Sequence, residues 1–350
     1  MQAILGLLFH SLGGIAAGSF YMPYNKVKDW SWESYWIVGG IFSWLIIPPI
    51  AAWLTIPGFI EIITTSSNSI LFFTFLMGLL WGAGGLFYGL GIRFLGMSLG
   101  SSVVLGFCAA FGALVPSIYY NFFPTEGKVS FSDMLSTVGG QLVLLGVFVC
   151  LLGIAISGKA GIMKENELSE NEKKESIAEF SLVKGLIIAV FSGILSAFFN
   201  FGIEAGKPLA DAAVAAGFNP LYQNNVTFVV ILWGGLSTNL IWTSVLSVKN
   251  KSYVDFVDTS TPIFKNILFS ALAGSIWFLQ FFFYGMGESK LGNGASSWIL
   301  HMSTIILTAN LWGIYRKEWK GVTPKTKYTI TTGVAIIVLS VFLVGIGNSL

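Results

Sequence analysis

Ten apolar stretches, each about 20 residues long, occupy most of this chain, and a helix of that length crosses a hydrocarbon core about 30 Å thick. They run over roughly Ala3 to Met22, Tyr35 to Leu54, Ile70 to Ile92, Met97 to Tyr120, Leu135 to Ser157, Leu182 to Ile203, Asn224 to Ser247, Phe264 to Met286, Asn293 to Ile314 and Tyr328 to Gly347. The expectation is an all-α membrane protein with ten transmembrane helices. A chain that is 54% hydrophobic and 10% charged, with 41 glycines and a mean hydropathy of +0.76, fits that class and not a soluble domain.

The cations fix an orientation. Of 19 Lys and Arg residues, 16 fall in, or within a few residues of, the gaps after the first, third, fifth, seventh and ninth stretches: Lys26, Lys28, Arg93, Lys159, Lys164, Lys173, Lys174, Lys184, Lys249, Lys251, Lys265, Arg316, Lys317, Lys320, Lys325 and Lys327. The opposite side holds Lys128, Lys207 and Lys290. Basic residues flanking spans stay in the cytoplasm, so both termini are expected on the outer, periplasmic side. The first stretch lacks a basic n-region and is longer than a typical h-region, so it is expected to remain as a helix. No basic cluster interleaves with aromatics, which argues against a nucleic-acid surface. Cys108 and Cys150 lie inside spans without a partnering pattern and read as small buried hydrophobes.

The stretch 159–181 mixes Lys164, Glu165, Glu167, Glu170, Glu172, Lys173, Lys174 and Glu175 without apolar periodicity. It reads as a solvated cytoplasmic linker between a first five-helix repeat, 1–158, and a second, 182–350. The halves resemble each other: Gly78, Trp81, Phe87, Tyr88, Gly89, Gly91, Leu95 and Gly96 recur at a constant offset as Gly274, Trp277, Phe283, Tyr284, Gly285, Gly287, Leu291 and Gly292. With an odd number of spans per half, the second half enters the membrane from the opposite side. Two inverted-topology repeats of this kind form alternating-access carriers.

Small residues four apart, Gly14 and Gly18, Gly78 and Gly82, Gly85 and Gly89, and Gly96 and Gly100, are expected to let helices approach closely. Pro48, Pro49 and Pro116 interrupt the second and fourth spans, where neighbours or cavity water must compensate the missing N–H.

A polar side chain at membrane depth is costly, so function is sought there first. Both histidines fall inside spans: His10 and His301 lie about 10 to 12 Å below the expected outer boundary, with Gln280 near the same level. A water-reached imidazole takes up and releases protons near neutral pH, which makes the pair candidates for proton coupling. A sugar-like ligand would need neutral hydrogen-bond partners and flat aromatic faces, and Gln280, Tyr88, Tyr284, Trp81, Trp277 and Trp298 supply both. The alternative is that these histidines and aromatics only pack helices. The histidines sit on distant helices without an HExxH pattern, so no enzyme, metal or cofactor is expected.

Longer motifs carry a resemblance. The run Phe20-Tyr21-Met22-Pro23-Tyr24-Asn25-Lys26-Val27-Lys28-Asp29-Trp30-Ser31-Trp32-Glu33, the stretch from Trp277 to Tyr284, and Ser297-Trp298-Ile299-Leu300-His301-Met302-Ser303 resemble the bacterial L-rhamnose–proton symporter family. Lys207-Pro208 with Pro220-Leu221-Tyr222, and the closing Val344-Gly345-Ile346-Gly347, resemble it too. The resemblance implies ten helices in the drug/metabolite transporter superfamily, residence in the bacterial inner membrane, and inward movement of a small neutral 6-deoxy sugar with a proton. It implies roles for His10, Lys26, Glu33, Lys207, Gln280 and His301. Lys26, Glu33 and Lys207, with Asp211 beside Lys207, read as gating or orienting charges. The chain departs from the family around Leu209-Ala210-Asp211 and between Gly287 and Ser297, which bears on sugar selectivity. A rival within the superfamily is an exporter or antiporter of drugs or metabolites.

Overall fold

The computed structural model describes residues 2–124, 129–169, 177, 179–291 and 294–350, with side chains described except at 2–3, 113, 291–300 and 348–349. Lys128, Glu170, Glu172, Lys173, Lys174, Glu175, Gly292 and Asn293 lie outside the described residues. Among the described residues every long element is a helix and no strand occurs, and eight helical segments are long and apolar enough to cross a membrane. We number the α-helices α1 (Gln2–Ser19), α2 (Tyr21–Tyr24), α3 (Trp32–Gly40), α4 (Ile47–Thr55), α5 (Phe59–Thr65), α6 (Asn68–Phe122), α7 (Phe131–Ser136), α8 (Val138–Glu167), α9 (Leu182–Ala205), α10 (Lys207–Ala215), α11 (Asn224–Asn250), α12 (Ile263–Leu291), α13 (Gly294–Tyr315) and α14 (Pro324–Ser349).

The helices are amphipathic in the sense a bilayer demands. On α1 the large apolar residues Ile4, Leu7, Leu8, Leu12 and Ile15 are exposed at helical spacing, while His10, Gly13, Gly14, Ala17 and Gly18 are buried. Lipid offers no hydrophobic penalty to Leu or Ile, so small and polar groups take the protein-facing side. Hydroxyls inside the helices satisfy themselves on carbonyls one turn back, as Thr55 does on Ala51 at 2.7 Å and Ser270 on Asn266 at 2.7 Å.

Two compact units emerge, and each draws on both halves of the sequence. The first comprises residues 1–83 and 198–290, the second 84–197 and 291–350.

In the first unit, α6 lies against α11. A Cβ at Gly78 would collide with the Ile231 carbonyl, and one at Gly82 would stand 2.6 Å from Gly235 Cα. Thr238 Oγ1 donates to Leu79 O at 2.6 Å across the same contact. On α12, Gly274 meets the Gly39 carbonyl of α3 as closely. Beyond α3 the chain widens into a π-helix, Ile41–Ile46, and Ile47 N donates to Phe42 O. That i→i−5 bond sits directly before Pro48 and Pro49, which open α4 where their missing N–H groups are least disruptive.

In the second unit, α8 and α14 pack antiparallel along a small-residue seam. Gly139 faces Gly347, Gly146 faces Ser340 and Val344, and Gly153 faces Gly333 and Ile337, with Cβ positions at the three α8 glycines falling 2.6 to 2.8 Å from their nearest atoms. Gly139, Gly146 and Gly153 on one side, and Gly333, Ser340 and Gly347 on the other, recur every seventh residue, the period that keeps one seam in register along two helices.

Two expectations change here. Gly96 does more than pack: at φ 83 and ψ 174 it breaks α6, a conformation that glycine alone adopts freely, and a Cβ there would also stand 2.6 Å from Ile177 Cδ1. Its partner Gly100 does pack, with Gly91 O 3.0 Å from where a Cβ would stand. The charged stretch after Ser157 also begins as helix, because α8 continues to Glu167 and buries Lys164 on the way.

Candidate functional site

In the first unit, one face of α12 gathers the candidates. Trp277, Gln280 with Phe281, Tyr284, and Gly287 with Glu288 succeed one another at three- and four-residue steps, so they share a helical stripe. The indoles of Trp81 and Trp277 stack with centroids 5.7 Å apart and planes at 29°. Trp44 stands edge-on to Trp277 at 5.5 Å, and Phe281 meets Trp277 at 5.0 Å and Trp81 at 5.7 Å. Gln280 is buried, and its amide donates to Trp277 O at 3.1 Å.

One turn further along α12, Tyr284 meets His10 edge to face at 5.3 Å and 69°. The next turn explains why glycine follows: a Cβ on Gly287 would stand 2.5 Å from His10 Nε2. The imidazole therefore lies on bare backbone and is 0% exposed. Glu288 follows Gly287 and accepts from Asn224 Nδ2 at 3.3 Å. This carboxylate belongs to the same turn as the histidine contact.

Away from the rings, a polar clamp ties α3 and its preceding loop to the α11–α12 connection. Glu33 is buried and accepts from Asn250 Nδ2 at 2.9 Å and Ser252 Oγ at 2.7 Å, so it is not a solvated helix-terminal acid. Asp255 accepts from Ser31 N at 2.8 Å and Ser34 Oγ at 2.7 Å, while Lys28 and Asn266 exchange backbone and amide bonds at 3.1 and 2.8 Å. Asn239, fully buried, accepts from Trp36 Nε1 at 2.9 Å and donates to Gly82 O and Gly235 O, both at 2.9 Å. Each buried polar atom in this clamp recovers in bonds what it loses in hydration. Lys26 is exposed. Lys207 pairs with Asp211 at 2.7 Å across one turn of α10, with side chains 69% and 59% exposed.

The second unit holds His301, buried on α13, and Tyr88, whose hydroxyl lies 3.3 Å from Ser101 Oγ. Trp298 is on α13, but its side chain falls outside the described residues. A cluster that sequence reading missed centres on Glu318. Its carboxylate accepts from Met97 N and Ser98 N, both at 3.1 Å, and so caps the helix that restarts after Gly96. An anion is favoured there because the first N–H groups of a helix have no partner within it. Glu318 O in turn accepts from Lys164 Nζ at 2.6 Å, and that ammonium faces the rings of Trp319 at 5.1 Å and Phe180 at 5.3 Å. Ser98 Oγ donates to Asn310 Oδ1 at 2.6 Å and accepts from Trp319 Nε1 at 3.1 Å, and Asn310 Nδ2 reaches Ser102 Oγ at 2.8 Å. The available signal was local: a lone acid inside Arg316-Lys317-Glu318-Trp319-Lys320, and Ser98 two residues past Gly96.

The structure thus brings His10, Trp81, Trp277, Gln280 and Tyr284 into one unit, with Tyr88 and His301 in the other. Aromatic faces beside a buried amide and imidazole suit a small polyhydroxylated molecule, which presents both apolar C–H faces and hydroxyls.

Comparison with known proteins agrees with the early resemblance. The L-rhamnose-proton symport protein family matches residues 1–349. The L-rhamnose-proton symporters of Yersinia pestis (strain Pestoides F) and Yersinia pseudotuberculosis (serotype O:1b, strain IP 31758) are each 40% identical to this chain over 349 residues, covering 98% of it and 98% of their own length. No solved structure matches it. With similarity running from end to end, this chain belongs to the L-rhamnose–proton symport family, whose members are membrane carriers and not enzymes.

Proposed function

We propose that this protein imports L-rhamnose, or a closely related 6-deoxy sugar, together with a proton across the bacterial inner membrane. Family membership supports the substrate and the coupling ion. The observation that carries the coupling site is the burial of His10 between Tyr284 and the bare backbone of Gly287, at least two helical turns along α12 from the stacked Trp81 and Trp277. Trp81, Trp277, Gln280 and Tyr284, with Tyr88 and Trp298, would hold the sugar. His10 and His301 would carry the proton, and Lys26, Glu33, Lys207 and Asp211 would gate or orient.

Ten crossings in two inverted repeats are the architecture we infer. The 55 residues of α6 would span about 82 Å as one rod, far beyond a core of about 30 Å, and the break at Gly96 divides them into two crossings. The 22-residue α13 supplies another. Three contacts support the inversion. The third and eighth spans meet through their equivalent residues Trp81 and Trp277. The fifth and tenth pack antiparallel on matching small-residue seams. Gly78 of the third span seats on the seventh as Gly274 of the eighth seats on the second. With basic loops inside, both termini lie in the periplasm.

A proton moving down 100 mV releases about 2.3 kcal/mol, enough to concentrate a neutral sugar about fiftyfold. The test is uptake into proteoliposomes under an imposed proton gradient. His10→Ala and His301→Ala are each expected to abolish accumulation while sugar exchange at equal concentrations persists. Undiminished accumulation in either variant removes that histidine from the coupling. Outward flux of apolar or cationic compounds, with no rhamnose uptake, would instead make the protein an exporter.

A further inference from the structure

The turn between α13 and α14 forms a partly open cleft of about 470 Å³, lined by Ile314, Lys317, Trp319, Lys320, Lys327 and Ile330, with Thr331 at its edge. Three lysines, from the turn after α13 and the start of α14, line it. Lys317 stands in left-handed backbone at φ 60 directly past the end of α13, where glycine or asparagine is easier to place. Helix-end electrostatics alone would favour one such lysine, and Lys251 occupies the same kind of position after α11 at φ 58. What that account leaves unexplained is that Lys320 and Lys327 line the same cleft.

The acids adjoining this turn do not neutralise them. The Glu318 carboxylate is turned to Met97 N and Ser98 N, and the Glu167 carboxylate accepts from Thr323 N, Thr323 Oγ1 and Thr326 Oγ1 at 2.6 to 2.9 Å. Both carboxylates keep their charge, but neither forms an ion pair with these lysines among the described residues, so the three cations repel one another and an anion seated among them relieves that repulsion. The walls indicate where that anion comes from. Ile314, 69% exposed, ends a stripe with Leu311, 67% exposed, and Leu307 on the outer face of α13, so the cleft opens onto apolar surface of the kind that faces lipid. Trp319, buried and donating to Ser98 Oγ, forms the inner wall of the cleft.

We propose that this cleft binds the phosphodiester headgroup of an anionic phospholipid, with the phosphate among Lys317, Lys320 and Lys327 and one acyl chain lying along Ile314, Leu311 and Leu307. The lysines and the apolar stripe are complementary to the two ends of one molecule, a combination that free phosphate would use only in part. The site is independent of the sugar and of the coupling histidines.

The experiment follows thermal unfolding of the purified full chain in neutral detergent, titrated with dioleoylphosphatidylglycerol, dioleoylphosphatidylcholine, or inorganic phosphate. The anionic lipid is expected to raise the midpoint saturably, with little effect from the other two. Each lysine near a charged lipid surface contributes about fivefold in affinity, so Lys320→Gln should raise the half-saturating lipid concentration about fivefold, and Lys317→Gln, Lys320→Gln and Lys327→Gln together about a hundredfold. The control pair Lys249→Gln and Lys251→Gln should bind like the parent. Equal shifts with phosphatidylcholine or with phosphate alone would overturn the proposal, as would a loss of equal size in the control pair. Should the triple variant fail to fold, an unchanged half-saturation in Lys320→Gln overturns it just as well.

Discussion

Both units pack helices without water and both use close glycine contacts, as at Gly78, Gly82 and Gly274 in the first, but they differ in what they add. The first fills its interior with rings: Trp44, Trp81, Trp277, Phe199 and Phe281 contact one another at centroid distances of 4.9 to 5.7 Å. The second closes α8 on α14 through glycine and serine with backbones nearly touching. Ring clusters can slide and retilt at small cost, since offset and edge-on geometries are close in energy. A backbone seam has one arrangement, because nothing lies between the chains to adjust. The contrast places adaptability around Trp81, Trp277, Gln280 and Tyr284 and rigidity along α8 and α14.

The seam should therefore break the protein outright. Gly153→Leu would drive a branched side chain into Ile337 N and Gly333 O, which already stand 2.9 and 3.0 Å from the position of a Cβ. Overpacking of this kind costs about 1–3 kcal/mol where side chains can yield, and more is expected against backbone. The expected outcome is loss of monodisperse protein on size exclusion. Gly85→Leu, at a position where a Cβ meets nothing within 4 Å, should purify normally. If both variants behave alike, the rigid half of the comparison is wrong.

Gly287→Ala tests the adaptable half and should have the next largest effect. A methyl group 2.5 Å from Nε2 must push the His10 ring off α12, while the surrounding aromatic side chains accommodate the shift. Folding should survive with a modest change in unfolding midpoint. Proton-driven accumulation should fall at least tenfold, about 1.4 kcal/mol in the coupled step. Accumulation at the parental level would show that the close seat of His10 on Gly287 has no part in coupling. Glu288→Gln in the same background separates a charge effect from a steric one, because it keeps the hydrogen-bonding shape at Asn224.

Glu318→Gln should be milder. The amide keeps one acceptor for Met97 N or Ser98 N and loses the charge that complements the helix start. Helix-terminal charges contribute about 0.3–1 kcal/mol when exposed and up to about 2 when partly buried, so a midpoint lowered by a few degrees is expected. A larger loss, or one rescued by Lys164→Met, would mean that the carboxylate and the ammonium are coupled beyond the backbone bond that links them.

Membrane character was legible because a bilayer imposes a length and a composition that few other environments share, and eight helical segments meet both among the described residues, while the constant spacing between the halves is a pattern in the residues alone. Trp81 and Trp277 could be paired on paper from that spacing, and they do meet. Glu33, Asn239 and Glu318 were not legible in the same way. Their partners, Asn250 and Ser252, Trp36, and Met97 with Ser98, lie from about 200 residues away or more in each case, and hydropathy carries no trace of such bonds. Gly96 was ambiguous for a different reason, since glycine serves both close packing and left-handed backbone, and only φ distinguishes the two.

The smallest effect belongs to Lys207, which the family resemblance marks as functional and the geometry marks as a surface pair. An exposed pair one helical turn apart contributes between zero and about 1 kcal/mol, because water screens it and two flexible side chains must be held. Lys207→Ala and Asp211→Ala should each leave the unfolding midpoint within a degree or two of the parent. If the pair is structural only, rhamnose uptake should also stay within twofold and show no change with salt. If Lys207 orients an entering sugar or gates the outer mouth, uptake should fall severalfold with stability unchanged, and Lys207→Arg should restore it where Lys207→Met does not. The variant at the least constrained position thus discriminates between charge that holds a helix and charge that meets a substrate, since packing contributes almost nothing to either outcome.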